Sequence, residues 1–222
     1  MTRSSDIKLD FDRGQRIGLE EAIFCEGKTA DHIVEILTQA KSKQQSFLLT
    51  RINRETYATI TEIQNFDLDY DELSQTAIFG QAHDPRDENR VAIISAGTSD
   101  AAVAREAART LRYYGHAPRE VADVGVAGLW RLMERLSDIQ KSDVLIVVAG
   151  MDAALPTVLG GLVSQPIIGV PTSVGYGVAK GGESALKSML SSCSSGLTVT
   201  NIDNGYGAAC AALRILSHGT KL

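Results

Sequence analysis

From Arg90 onward the chain alternates between two patterns of apolar and polar positions. Short runs rich in β-branched residues, VAIIS (91–95), DVLIVVAG (143–150), PIIGV (166–170) and LTVTNI (197–202), read as strands buried on both faces. REVADVGV (119–126) is a fainter strand. Between them lie segments of helical periodicity: Ala101–Tyr114, Gly128–Leu136, Ala153–Val163, Val178–Leu190 and Ala208–Leu216. Strands alternating with helices of this length predict βαβ units with right-handed crossovers. The expected fold class is α/β: a doubly wound parallel sheet of about five strands with helices on both faces.

Ahead of residue 85 the pattern changes. Thr29–Ala40 predicts a helix, with Thr29 and Asp31 near its start, and SFLLTRI (46–52) and ETYATITEI (55–63) predict strands of a small N-terminal α+β unit. DPRDENR (84–90), polar and proline-containing, is the boundary candidate, giving units 1–88 and 89–222.

Composition narrows the class. The 222 residues are 44% hydrophobic and 22% charged, enough for one or two globular domains. A net charge of -5 argues against a nucleic-acid binder. The start, MTRSSDIKLDFDR, has no apolar signal core, and three cysteines make no disulfide framework, so reduced thiols and a cytoplasmic location are expected. Val144–Val163 is long and mostly apolar, but Asp152 sits mid-run and Pro156 follows. A charge at bilayer mid-depth is costly, so this run reads as strand, turn and helix, and no membrane association is expected.

In an open parallel sheet, ligands bind beyond the carboxyl ends of the strands. Three such ends are rich in glycine and polar groups. In SAGTSD (95–100), Ser95 closes a strand, Gly97 permits close backbone approach, and Thr98, Ser99 and Asp100 offer hydroxyls, a carboxylate and helix N-terminal amides to a phosphate or ribose. Ser99 or Asp100 would equally serve as a helix cap. In AGMDAALP (149–156), Gly150 and Met151 precede Asp152, which either caps a helix or addresses a ligand. PTSVGYGVAKGGESAL (171–186) has four glycines in the eight residues Gly175–Gly182. It reads as a lid, with Lys180, Gly181 and Gly182 meeting an anion, or as a solvated linker.

The cysteines differ by neighbourhood. Cys210, in AACAALRIL, reads as buried packing; Cys25, in IFCEGKT, is open to either reading; Cys193, in MLSSCSSG, has no apolar surround to hold it in a core. His32, His83, His116 and His218 are scattered without ligand spacing, so no zinc site is expected.

Over residues 90–220, SAGTSD, AGMDAALP, IIGVPTS and NIDNGYGAA resemble the phosphoribosylaminoimidazole carboxylase family of purine synthesis. That family has a His-Arg pair after its second strand and a His in its AAHLPG turn. Here these places read EVADVGVAG and DAALP, with Ala154 where the second His would stand. LDFDRGQRIGLEEAIFCEGKT (9–29), SAGTSD, VGVAGLWRL, VVAGMDAALPTVLGGLV, GVPTSVGYGVAKGGESAL, and MLSSC followed by TNIDNGYGAA span nearly the full chain. Together they are more similar to the LarB family, the pyridinium-3,5-biscarboxylic acid mononucleotide synthases of nickel-pincer cofactor biosynthesis. FCEGKT departs from the commoner Gly-rich form of its segment, and SSCSSG from the Pro-containing form.

The resemblance implies a flavodoxin-like sheet, and carboxylation of the pyridinium ring of nicotinic acid adenine dinucleotide with CO2 or bicarbonate, coupled to phosphoanhydride cleavage that releases AMP. It makes Cys193 the nucleophile. Asp100 and Asp152 become proton-acceptor candidates, and Ser95, Gly97, Thr98, Ser99, Gly150 and Met151 bind substrate. Lys28 and Lys180, with Gly181 and Gly182, are candidates for its pyrophosphate or carboxylate. It further implies a homo-oligomer, an octamer. Mg²⁺ bound through the substrate pyrophosphate would help water attack phosphorus, and no protein metal site or prosthetic group is expected. The rival readings are an aminoimidazole ribonucleotide carboxylase or mutase and a non-catalytic nucleotide-binding module.

Overall fold

The computed structural model describes residues 7–219. Residues 1–6, part of the polar start read as leaderless, and 220–222 lie outside the described residues. The chain divides into two compact units, Met1–Ala82 and His83–Leu222.

The first unit runs α1 (Arg13–Ile17), β1 (Ile23–Phe24), α2 (Ala30–Ser42), β2 (Phe47–Thr50), α3 (Arg54–Ile63), β3 (Leu68–Asp71) and β4 (Thr76–Phe79). Its sheet has the order β1-β2-β4-β3, parallel only between β1 and β2. Thr29 caps α2 by accepting the His32 N–H. ETYATITEI, expected as a strand, is helix α3. Its alternation of apolar and polar residues also fits a helical stripe through Tyr57 and Ile60. Asn53 starts the helix by accepting the Thr56 N–H at 2.8 Å. Thr59 and Thr61, which argue for a strand by propensity, turn their hydroxyls back onto the carbonyls of Glu55 and Tyr57. Ile60 then joins Ile33, Leu37, Phe47 and Leu49 in the core of this unit.

The second unit runs β5 (Asp87–Ser95), α4 (Ala101–Tyr113), β6 (His116–Val121), α5 (Leu129–Ile139), β7 (Val144–Ala149), α6 (Ala154–Gly160), β8 (Ile167–Pro171), α7 (Glu183–Leu190), β9 (Thr198–Val199) and α8 (Gly205–Gly219). The five strands lie in the order β6-β5-β7-β8-β9, every pair parallel. This is the doubly wound α/β sheet of flavodoxin-like order. The chain leaves β5 in one direction to form β6 and returns past it to form β7, so the order reverses between β5 and β7.

Side-chain alternation explains why the strands are apolar throughout. Ala92, Ile94, Leu145 and Val147 share one core cluster with Leu132, Leu155 and Met189 of the α5, α6 and α7 side. Val91, Ile93, Ile146 and Val148, which point to the other face, are equally buried. The Val144–Val163 run resolves into β7, a turn and α6, and among the described residues no helix is long and apolar enough to cross a membrane.

Within the polar run 84–90 the Arg86 N–H donates to the Gly115 carbonyl, and β5 starts at Asp87. Three element boundaries differ from the sequence pattern. The strand expected at 119–126 is β6, His116–Val121, because Asp123 takes a left-handed backbone (φ +58°) and turns the chain. LTVTNI keeps only two residues of ladder. The helix expected from Val178 begins at Glu183, because Gly181 and Gly182 stand at φ +80° and +82° behind a short 3-10 turn.

On one face α4 packs against α8. Small residues make the approach possible: Ala104, Ala107 and Ala108 on α4 and Ala208, Ala209 and Ala212 on α8 are buried. Gly205 permits the closest contact, since a Cβ there would stand 2.3 Å from the Val103 carbonyl oxygen and 3.0 Å from the Ala107 nitrogen. Both obstacles are backbone and cannot rotate away. Gly205→Ala is therefore expected to destabilise the chain by about 1–3 kcal/mol through overpacking. Chemical denaturation would measure this, and an unchanged midpoint would refute the close approach.

Candidate functional site

The carboxyl edge of the five-stranded sheet is tied together by its own loops. The Ala96 N–H donates to the Val148 carbonyl, the Gly125 N–H to Ala96, the Met151 N–H to Val174 and the Asp203 N–H to Pro171. Four non-glycine residues with left-handed backbones stand here: Asp123 after β6, Met151 and Ala153 after β7, and Asp203 beyond β9. Such conformations are costly for residues with a Cβ and tend to collect where a backbone is shaped for a ligand.

Asp100 is the centre of this edge. It is 3% exposed, and both carboxylate oxygens already accept hydrogen bonds. The Gly97 N–H donates to Oδ2 at 2.9 Å, closing the 95–100 loop as a helix cap, and the Thr172 hydroxyl donates to Oδ1 at 2.7 Å. The second bond reaches from the end of β8 across the end of β7 to the helix that follows β5. Gly150 lies beneath it: a Cβ there would be 2.6 Å from the Thr172 hydroxyl and 2.4 Å from the Val174 carbonyl. Thr172, which the sequence pattern did not single out, is wholly buried and joins the first and third loops. Its only sequence signal is a hydroxyl immediately after the apolar run PIIGVP.

The structure therefore brings Ser95, Gly97, Thr98, Ser99 and Asp100 to one edge with Gly150, Met151, Asp152 and the loop of Lys180, Gly181 and Gly182. Ser95 is buried at the end of β5, whereas Thr98 and Ser99 are exposed. Gly97 has an ordinary extended backbone (φ -130°), and a Cβ there would come no nearer than 3.6 Å to Asp100, so the fold itself does not require glycine. Asp152 is exposed and caps α6 only at long range, accepting the Ala154 N–H at 3.4 Å. The 171–182 segment folds back on the edge: Gly182 packs against the Thr172 carbonyl, where a Cβ would stand 2.8 Å away. Lys180 is exposed. Glu183 is committed elsewhere, its carboxyl held below the usual range by a hydrogen bond from Lys187.

Two candidates belong to other segments. Lys28 belongs to the first unit, where its ammonium donates to the Phe24 carbonyl at 2.7 Å. Cys193 is exposed on the turn between α7 and β9. Helix α7 leads away from the carboxyl edge, and β9 begins at Thr198, opposite Ile168 near the start of β8. The Thr157–Ser192 hydroxyl bond, 2.7 Å, and the contact of Ser194 with Gly160 hold this turn against the later half of α6. Within one chain, Cys193 therefore stands toward the amino edge of the sheet and Asp100 at the carboxyl edge.

The other thiols are placed differently. Cys210, expected as buried packing, is only half-buried on α8. Cys25 is 3% exposed, and burial pushes its pKa up to about 12 from an ordinary value of 9.0, against a smaller opposing effect of Lys28. Among the described residues, no three His, Cys, Asp or Glu side chains converge as metal ligands.

Three predictions follow from this geometry. Thr172→Val, which keeps shape and removes the donor to a buried carboxylate, is expected to cost about 1.5–3 kcal/mol, while Thr172→Ser retains most of the stability. Equal unfolding midpoints for wild type and Thr172→Val would sink the assignment. Maleimide at neutral pH is expected to label Cys193 first and Cys25 only on unfolding, read by peptide mass. The folded chain holds the Cys25 proton to about pH 12, whereas an unfolded thiol releases it near 9.0. Stability should therefore fall as pH rises through that interval, and Cys25→Ala should flatten the fall.

Comparison with known proteins agrees with this division. Residues 2–81 match the family profile described as LarB/PurE-like N-terminal domain, and residues 90–222 match the AIR carboxylase profile. An uncharacterized protein of Methanocaldococcus jannaschii is 37% identical over 215 residues, covering 93% of this chain and 82% of its own length. The N5-carboxyaminoimidazole ribonucleotide mutase of the same organism is 32% identical over 130 residues, covering 57% of this chain and 78% of its own. That of Pyrococcus horikoshii is 36% identical over 134 residues, covering 57% and 71%.

Proposed function

The chain belongs to the AIR carboxylase family, in the branch with a LarB/PurE-like N-terminal domain, and from that premise we propose that it carboxylates a pyridinium nucleotide. The substrate is nicotinic acid adenine dinucleotide, and the products are pyridinium-3,5-biscarboxylic acid mononucleotide and AMP. The observation that carries this reading is the exposed Cys193 thiol in a chain that pairs the two domains in this order. The purine-type alternative needs an imidazole to move a proton at the ring carbon, and the β7–α6 turn offers Ala154 there.

The chemistry requires a nucleophile because a pyridinium ring is too electron-poor to attack carbon dioxide. The Cys193 thiolate adds to the ring carbon para to nitrogen, and the ring's π electrons move onto nitrogen, giving a dihydropyridine. Its neighbouring carbon is now enamine-like and forms the bond to carbon dioxide. Loss of the proton from that carbon and expulsion of the thiolate restore the aromatic ring, so the net exchange is a ring C–H for a carboxylate and a proton. Water separately cleaves the phosphoanhydride to release AMP. Asp152, exposed and only loosely engaged, is the carboxylate free to take the proton. Asp100, with a donor on each oxygen, holds the loop that receives the ribose phosphate. Magnesium carried in with the substrate's pyrophosphate would offset its charge toward the attacking water.

Because Cys193 and Asp100 stand at opposite edges of one sheet, the reaction centre combines the carboxyl edge of one copy with the Cys193 turn of another. The protein acts as a homo-oligomer.

Incubation with nicotinic acid adenine dinucleotide, bicarbonate and Mg²⁺ is expected to yield AMP and a dicarboxylated mononucleotide by mass. Cys193→Ser should abolish carboxylation. Mixed oligomers refolded from Cys193→Ser and Asp152→Asn chains should recover activity that neither variant has alone. Turnover of carboxyaminoimidazole ribonucleotide in place of the pyridine substrate would instead favour the purine reading.

A further inference from the structure

The turn that carries Cys193 is built from serine, with Ser191 and Ser192 before the thiol and Ser194 and Ser195 after it. Their burial alternates. Ser192 and Ser194 are half-buried, whereas Cys193 between them is exposed, as are Ser191 and Ser195. The two inward serines therefore fix the backbone from which the thiol projects.

Both inward serines rest on α6. The Ser192 and Thr157 hydroxyls are hydrogen-bonded at 2.7 Å, and the Ser192 oxygen also accepts the Ser194 N–H at 3.0 Å, so this second bond spans Cys193. The Ser194 side chain lies over Gly160, where an added Cβ would stand 2.9 Å from Ser194 Cβ and closer still to its hydroxyl. Thr157 and Gly160 are three positions apart and so share one face of the helix. On either side of this seat the chain is closed off. The Ser191 hydroxyl donates to the Lys187 carbonyl at 2.7 Å at the end of α7, and Gly196, at φ +84°, turns the backbone toward β9.

Thr157 uses its hydroxyl unlike other threonines in the helices. Thr38, Thr59, Thr61 and Thr110 each donate to the carbonyl four residues earlier in their own helix. Thr157 instead bonds to a residue 35 positions later. The surroundings of that bond are apolar: Leu155, Leu159, Ile167 and Met189 belong to one cluster. Apolar burial holds surfaces together without preferring a direction, whereas a hydroxyl bond has a preferred distance and line. What the pair adds to the packing is orientation.

We propose that Thr157 and Ser192 are positioning residues for the Cys193 thiol, with Gly160 as the seat of Ser194. The inference rests on reading Cys193 as the nucleophile, and it deepens that reading. A thiolate must meet a ring carbon in line at about 3–3.5 Å, and a displacement of about 1 Å costs on the order of a hundredfold in rate. A thiol on an exposed turn meets that demand only when the turn itself is fixed.

Two measurements on the full chain test this, one with substrate and one without. In turnover of nicotinic acid adenine dinucleotide, Thr157→Val keeps shape without the hydroxyl and is expected to lower kcat by about tenfold to a hundredfold, with KM within about twofold. Ser192→Ala and Gly160→Ala should act likewise, and Thr157→Ser should keep kcat within about threefold of wild type. A nitroxide on Cys193 in a Cys210→Ala background reports the turn directly, since Cys25 is buried and does not compete for the label. Its spectrum should show restricted motion in wild type, faster motion in Thr157→Val and restriction again in Thr157→Ser. An unchanged spectrum in Thr157→Val overturns the proposal. So does a kcat kept within about twofold, a loss that appears in KM instead, or one that Thr157→Ser does not rescue. A wild type that turns over no pyridine substrate, with a spectrum loosened by Thr157→Val and restored by Thr157→Ser, supports the positioning and counts against the pyridinium reaction.

Discussion

The bond from the Thr172 hydroxyl to the buried Asp100 carboxylate sets the form of the carboxyl edge. A buried charge is tolerated only when it is hydrogen-bonded, and Asp100 has a donor on each oxygen. That requirement joins the loop after β5 to the loop after β8 across the top of β7. The strand beneath must then end in a residue without a side chain, which is Gly150. Once the span is made, the Met151 amide meets the Val174 carbonyl and the Asp203 amide meets Pro171, so the outer loops are ordered by the inner ones. A single buried carboxylate thus turns three separate strand ends into one surface.

The cost of that surface is visible in the backbone. Met151 and Ala153 take left-handed conformations on either side of Asp152, and Ala153 does so while buried. Each such residue costs on the order of 1–2 kcal/mol relative to an ordinary conformation. The chain does not relieve the strain by placing glycine at these positions, although it has glycine at Gly150 immediately before them. Side chains are wanted there: Ala153 fills the cluster beneath the loop, and Met151 is presented to solvent at the edge. The same pattern holds at Asp123, whose carboxylate is what grips Arg131.

Much of the second unit was legible because its periodicities are unmixed. VAIIS and DVLIVVAG fit no amphipathic helix, and the segments between them fit no strand, so the doubly wound sheet could be read directly. The first unit was harder. ETYATITEI satisfies both periods, and only the Asn53 cap and the hydroxyls of Thr59 and Thr61, turned back onto the helix's own carbonyls, decide for a helix. β3 and β4 escaped notice because LDYD and TAIF are four residues each, too short for a periodicity to stand out. At the site, the glycine-rich strand ends were visible as candidates, but the residues that position them were not. Thr172 looks like any threonine after a strand, and its role depends on a partner 72 positions away. Arg131 looks like a charged residue on an amphipathic helix, and nothing local shows that it reaches back to Asp123 eight residues earlier.

The placement of Cys193 shows a different limit. Sequence order puts it close to the glycine-rich loop, and a linear reading would seat it beside the substrate. Helix α7 intervenes, and in a parallel sheet every such helix carries the chain from the carboxyl edge back to the amino edge. A residue placed just before a strand therefore cannot share a site with residues placed just after one, unless another copy supplies it. On the proposed function, the nucleophile and the phosphate-binding edge are kept apart in each chain, and the thiol meets the ring only in the assembled protein. Association then precedes chemistry for a topological reason, independent of how tightly the copies bind. The exposed apolar residues Leu129, Trp130 and Met133 on α5, and Tyr176 and Val178 in the third loop, have the character that such association would use.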